Sequence, residues 1–278
     1  MEEIYIKING CEYYVQDSRK GNDSVILLHG WPDDSSLWRF QIPDLIQSGY
    51  RVICLDWLGH GQSEKTEDLN KYTLASLSAD VIGLMDALNL EKAHCIAHDY
   101  GAVVGWELAT RYPERLLSYV ALSVGHPLAL VKNLSLESIL KSWYLLFNPL
   151  PVAIPIYRAM NGSIFKWVLR GHPDKESVVE KFLLEKKPLY IQVWEKANPI
   201  FPFIWSSLWQ KQLTLVKVPT LGIWSSGDNF MAEKQMSQSG ALVQSEWKYI
   251  KISKCNHWLQ LEKPQEINKH LLEWLNHW

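Results

Sequence analysis

The chain has 278 residues, 47% of them hydrophobic, with a formal net charge of −2. That suits one large α/β domain or a core carrying an insertion, and it excludes the broad basic field that a nucleic-acid or anionic-membrane partner requires. No apolar run reaches the ~20 residues of a membrane-spanning helix. Cys11, Cys54, Cys95 and Cys255 lie far apart, with no CxxC pair and no His/Cys cluster at ligand spacing. Buried free thiols in a reducing compartment are therefore expected, and no metal. The opening MEEIYIKING lacks a basic region followed by an apolar run, so a soluble cytoplasmic protein is expected.

In chain order, two β-rich runs, 3–8 and 12–16, flank Asn9-Gly10, a hairpin signal. Val25 to Leu28 reads as a buried strand, Ser36 to Gln47 as a helix, and Arg51 to Leu55 as the next strand. Thr73 to Leu88 has helical periodicity at Leu77, Val81, Leu84 and Leu88, with Thr73 placed to cap it. A strand at 93–97, a helix at 102–111 and a strand at 118–123 follow. This alternation predicts a mostly parallel sheet. It breaks at His126-Pro127, after which helical stretches interrupted by prolines run to about Leu213. Strands resume at 219–224 and 247–252, and a helix closes the chain at 264–274. The pattern predicts core segments 1–125 and 214–278 around an all-helical insertion, 126–213.

The segment Ala97-His98-Asp99-Tyr100-Gly101 is the most telling. Small residues flank a strand-to-helix corner, where bulk would strike neighbouring backbone, and the corner lifts Asp99 clear of the sheet. Aspartate before a helix is also an ordinary N-cap. Two further positions weigh against capping alone: Asp228 in Gly227-Asp228, and His257 in Asn256-His257. All three follow strand C-termini, where open α/β sheets place their sites, in the chain order nucleophile, acid, histidine. Fourteen tryptophans, concentrated in the second half, suggest an apolar cavity as well as a large core.

HGWPDDSSLWRFQ at 29–41, LDWLGHGQSEK at 55–65, AHDYGAVVGW at 97–106, PTLGIWSSGD at 219–228 and NHWLQLEKPQEIN at 256–268 carry a resemblance along essentially the whole chain. It is to the α/β-hydrolase superfamily and, within it, the soluble epoxide hydrolases. The resemblance implies a mostly parallel eight-stranded sheet flanked by helices, with an all-helical cap, acting without cofactor as a monomer or homodimer. It implies Asp99 as nucleophile and His257 as the base for the second step, oriented by Asp228. Trp31 and Tyr100 would offer backbone N–H groups to the oxyanion. An anionic carboxylate can displace at an sp³ carbon and form an ester, which water then cleaves. The implied substrate is a small apolar or aromatic epoxide, with Trp38, Trp143, Tyr190, Glu195 and Trp258 expected around it.

The resemblance also assigns two cap tyrosines as proton donors. Tyr144, in SWYLLF, matches the first. At the second, where the family has NWYRAN, this chain reads VWEKAN, with Glu195 in the tyrosine's place. Three explanations stand: Tyr190 or Tyr157 supplies the hydroxyl, a protonated Glu195 donates instead, or one tyrosine suffices. A haloalkane dehalogenase is the alternative within the class, weakened by Tyr100 where a halide-binding tryptophan would follow the nucleophile. A ligand-binding protein on a hydrolase fold is the alternative outside it.

Overall fold

The hairpin begins at Asn9 and Gly10, whose φ values of +47° and +88° are what a tight two-residue turn between twisted strands demands. It joins β1 (Glu2–Ile8) to β2 (Cys11–Asp17). The computed structural model describes residues 1–200 and 215–278. The remaining strands are β3 (Ser24–Leu28), β4 (Arg51–Leu55), β5 (Ala93–His98), β6 (Leu116–Leu122), β7 (Thr220–Ser225) and β8 (Trp247–Ile252). They form one eight-stranded sheet in the order β1-β2-β4-β3-β5-β6-β7-β8. The β1–β2 and β2–β4 pairs are antiparallel, and all others are parallel.

Every residue of β3 and β5 is buried, as expected of central parallel strands covered on both faces. The flanking helices include α1 (Ile42–Gln47), α2 (Leu74–Ala87) and α3 (Tyr100–Arg111). Thr73 caps α2, its hydroxyl accepting the Ser76 N–H at 3.1 Å. The helix expected over 36–47 is split: a 3₁₀ turn at Ser35–Trp38 precedes α1. Pro43 explains the break, because a residue without an N–H belongs in a helix's first turn rather than its interior.

Between β6 and β7 the described residues form helices: α4 (Pro127–Lys132), α5 (Leu136–Lys141), α6 (Tyr144–Phe147), α7 (Ala153–Val168), α8 (Lys175–Leu184) and α9 (Val193–Ala197). The expected end of the insertion at 213 lies outside the described residues. Asn198 ties this segment to the sheet layer: its Oδ1 accepts the Leu74 N–H at 3.0 Å, and its Nδ2 donates to the Tyr72 carbonyl at 2.8 Å. After β7 come α10 (Glu233–Ser237), α11 (Leu259–Glu262) and α12 (Pro264–Leu275). All four cysteines are buried and free. Among the described residues no helix is long and apolar enough to cross a membrane, and no group of side chains is arranged to hold a metal.

Candidate active site

Asp99 stands between β5 and α3 at φ +54°, ψ −121°, a conformation that costs a non-glycine residue about 1–3 kcal/mol. Its surroundings impose it. A Cβ on Gly101 would lie 2.3 Å from the Leu28 carbonyl oxygen, and one on Gly30 would lie 2.3 Å from the Asp99 Cβ. Two missing side chains therefore let the elbow fold tightly against the end of β3. The Asp99 carboxylate is nearly inaccessible. Burial opposes its charge, but the hydrogen bond and positive charge of His257 outweigh that and hold its pKa below the usual carboxylate range.

Its two oxygens are differently engaged. Oδ1 accepts the Trp31 N–H at 2.9 Å, and Oδ2 lies 3.2 Å from His257 Nε2. The Tyr100 N–H, first in α3, has no partner among the described residues. The His29-Gly30-Trp31 loop is fixed from below: His29 Nε2 accepts the Trp57 N–H at 3.1 Å, which leaves Nδ1 to donate to the Gly30 carbonyl at 2.9 Å.

His257 completes the set through Asp228, whose Oδ2 is 2.8 Å from Nδ1. The other oxygen, Oδ1, accepts the N–H groups of Phe230 and Met231 at 2.7 and 2.8 Å. Desolvation alone would depress the imidazole pKa, but Asp228 and then Asp99 lift it to about 10, so at neutral pH the ring is a cation between two carboxylates. The Ser123 hydroxyl and His98 Nε2 both donate to the His257 carbonyl, at 2.6 and 3.0 Å. His98 itself is kept neutral, its pKa lowered to about 4 by burial and by repulsion from His257.

Above Asp99 lies a cavity of about 430 Å³. Asp99, Tyr100 and Val103 form its floor; Leu130, Tyr144, Leu145, Trp194 and Glu195 come from the helical segment; Met231 and Gln235 close one side. The Tyr144 ring stacks on the Trp31 indole at 6.2 Å and 12°. Its hydroxyl makes no hydrogen bond to a described residue. Burial first, then the negative charge of Asp99, push its pKa well above that of an ordinary phenol, so it keeps its proton. Burial likewise lifts the Glu195 carboxyl to about 7, against the hydrogen bond from Asn148. An apolar chamber is thus lined by one fixed carboxylate, Asp99, and by two acids whose pKa values are raised by burial, Tyr144 and Glu195.

A sequence model of the family described as alpha/beta hydrolase fold matches residues 23–264. The chain belongs to this family. It is 29% identical to the AB hydrolase superfamily protein YfhM of Bacillus subtilis, over 98% of this chain and 96% of that protein. To human Epoxide hydrolase 4 it is 28% identical, over 96% of this chain and 76% of that one. Among solved structures, a mutant of an epoxide hydrolase from Bacillus megaterium matches with a TM-score of 0.87 at 23% identity, covering 98% of this chain and 100% of that one.

Not every expected residue reaches the cavity of this α/β-hydrolase. Asp99, Tyr100, Tyr144 and Glu195 line it. Tyr190 does not: it lies in a 3₁₀ turn just before α9, its ring 5.4 Å from that of His60, and faces a separate groove of about 910 Å³. Trp38 is fully enclosed in the core, because the turn that carries it packs inward on β3 and β4. Trp143 packs on Phe147 and Trp167 instead. Trp258 is a buried strut, its indole N–H donating to Asp33 at 2.8 Å and its ring edge-on to His257. Sequence reasoning missed Leu74, Leu130 and Gln235, ordinary helix residues, and Met231, in the bend before α10, none of them with a local signature. It also missed Ser123, whose only signal was its position directly after a strand.

Proposed function

We propose that this α/β-hydrolase is an epoxide hydrolase, opening a small apolar or aromatic epoxide to a vicinal diol through an ester on Asp99. The observation that carries the reading is the unequal engagement of the Asp99 carboxylate: Oδ1 on the Trp31 N–H, Oδ2 against His257, both below an apolar cavity holding Tyr144. The similarity to human Epoxide hydrolase 4 supports it. In this reading residues 1–125 and 214–278 are the core and 126–213 the cap.

Asp99 Oδ2 attacks a ring carbon while the C–O bond breaks and Tyr144 hands its proton to the departing oxygen. Oδ1 becomes the ester carbonyl oxygen, still held by the Trp31 N–H. The Tyr100 N–H at the start of α3 is available for the charge that grows there. Alkylation also neutralises Asp99, removing one of the two charges that keep His257 protonated, so the imidazolium gives its proton to the Tyr144 phenolate and becomes a base only after the ester exists. It then takes a proton from water, whose oxygen adds to the ester carbonyl, and returns that proton to the departing diol oxygen. The proton left on the Asp99 acid passes to His257 and restores the ion pair. Asp228 holds the imidazolium in place.

Intact-mass measurement of His257→Gln incubated with epoxides and bromoalkanes tests this. An adduct of a whole epoxide mapped to Asp99 is expected. An alkyl adduct formed with loss of bromide would point to a dehalogenase, and no adduct with any member would point to a binding protein.

A further inference from the structure

Glu195 is the one carboxyl of the cavity without a cationic partner among the described residues. It sits on α9, buried, beside the floor that carries Asp99. Its two oxygens are unequal. Oε1 accepts the Asn148 Nδ2 at 2.8 Å, and Asn148 Oδ1 in turn accepts the Tyr157 hydroxyl at 2.7 Å. This chain is fully enclosed: Asn148 and Tyr157 are both inaccessible. Neither Oε2 nor the buried Tyr100 hydroxyl makes a hydrogen bond of normal geometry to a described residue, although the two side chains lie close enough to interact.

A donor already fixed on Oε1 makes that oxygen the carbonyl of a neutral acid and leaves the proton to Oε2. A buried carboxylate with a bare oxygen is costly, whereas a carboxylic acid with an uncommitted O–H is a donor awaiting an acceptor.

We propose that Glu195, as a neutral acid, gives the proton on Oε2 to the epoxide oxygen as the ring opens, in place of Tyr144, whose hydroxyl then holds that oxygen by a hydrogen bond and keeps its own proton. This rests on the epoxide hydrolase reading. The balance closes within one turnover. Asp99 bonds to carbon, the C–O bond breaks, and the Glu195 proton goes to the oxygen while Glu195 becomes a carboxylate. The His257 imidazolium, freed of the Asp99 charge, then gives its proton to the Glu195 carboxylate, and after water has cleaved the ester the proton left on the Asp99 acid returns to His257. Tyr157 and Asn148 act as positioning residues that fix which oxygen of Glu195 faces the cavity. An acid at this place also explains why the chain tolerates losing a phenol there.

The groups facing Glu195 are Asp99 and Tyr100 from the elbow, Tyr144 from α6, Asn148 from the loop after it and Tyr157 from α7. Asp99 is ionised and the three phenols are protonated throughout the pH 6–9 range. With a folded pKa raised to about 7, Glu195 is a donor below that pH and loses the ability as pH rises through it. Ester formation should follow it.

The test is the rate of single-turnover ester formation from styrene oxide between pH 6 and 9, read by rapid quench and intact mass in the parent enzyme and in Glu195→Gln. His257 is kept because it holds Asp99 ionised, and His257→Gln serves as the trap that shows whether any ester forms. The parent should slow as pH rises through about 7. The Glu195→Gln variant should be ~10²-fold slower at pH 6, as expected for a lost general acid, with a flat profile. A Glu195→Tyr partner, carrying a phenol instead, should recover much of the rate and keep it to pH 9. If Glu195→Gln alkylates at the parent rate, or more slowly but with the parent's pH profile, Glu195 is not the donor. Absence of any adduct in His257→Gln overturns the epoxide reading itself, a separate outcome from failure at Glu195.

Discussion

The two walls of the cavity are built in opposite ways. On the sheet side every side-chain oxygen and nitrogen of the Asp99–His257–Asp228 set has a partner within 3.2 Å, and Asp99 is held in a strained backbone geometry. On the helical side neither Glu195 Oε2 nor the Tyr144 hydroxyl makes a hydrogen bond of normal geometry to a described residue. The charges that must exist before reaction are thus organised in advance, in a network whose cost is met by folding. The groups that serve an oxygen appearing only during reaction are left uncommitted.

The largest effect should come from breaking the sheet-side network. Asp228→Asn keeps the shape but removes the charge that orients His257 and holds it as an imidazolium. Turnover should fall ~10³–10⁴-fold, the scale seen when a buried acid behind a catalytic histidine is neutralised. The covalent intermediate should accumulate, because the second step suffers more than the first. Comparable loss in both steps, seen in burst kinetics, would show that the two walls are not separable.

A smaller effect is expected on the helical side. Tyr144→Phe removes one of the oxygen's donors while Glu195 remains, so the rate of ester formation should drop ~10–10²-fold with hydrolysis of the preformed ester unchanged. The smallest should come from Ser123→Ala. It removes one hydrogen bond to the His257 carbonyl but leaves that of His98, for a loss of about 1 kcal/mol in thermal or denaturant unfolding and a few-fold change in turnover.

The same division governs what was readable from the sequence. Asp99, Asp228 and His257 were legible because strand ends are legible: β5 and β7 are short apolar runs and β8 a short strand of readable pattern, and the residues just beyond them converge by topology alone. Gly101 was readable for the same reason, since a tight corner excludes side chains. The helical wall follows no such rule. Tyr190 and Glu195 are five residues apart around the start of one short helix, yet one faces the groove at His60 and the other the cavity. Only the packing of α9 on the sheet layer decides between them. Trp38, Trp143 and Trp258 were expected in the cavity because tryptophan suits an apolar lining, but it suits a core equally well. The Tyr157–Asn148–Glu195 chain links three helices and has no trace in local spacing.

The central claim is that water attacks Asp99 and not the epoxide. A single turnover in H₂¹⁸O with enzyme in excess over styrene oxide separates the two directly. The account predicts ¹⁸O in the peptide containing Asp99 and a first-turnover diol whose new oxygen is unlabelled, having come from the carboxylate. Label in the diol with none in Asp99 would mean that water opens the ring itself, and would contradict the covalent mechanism.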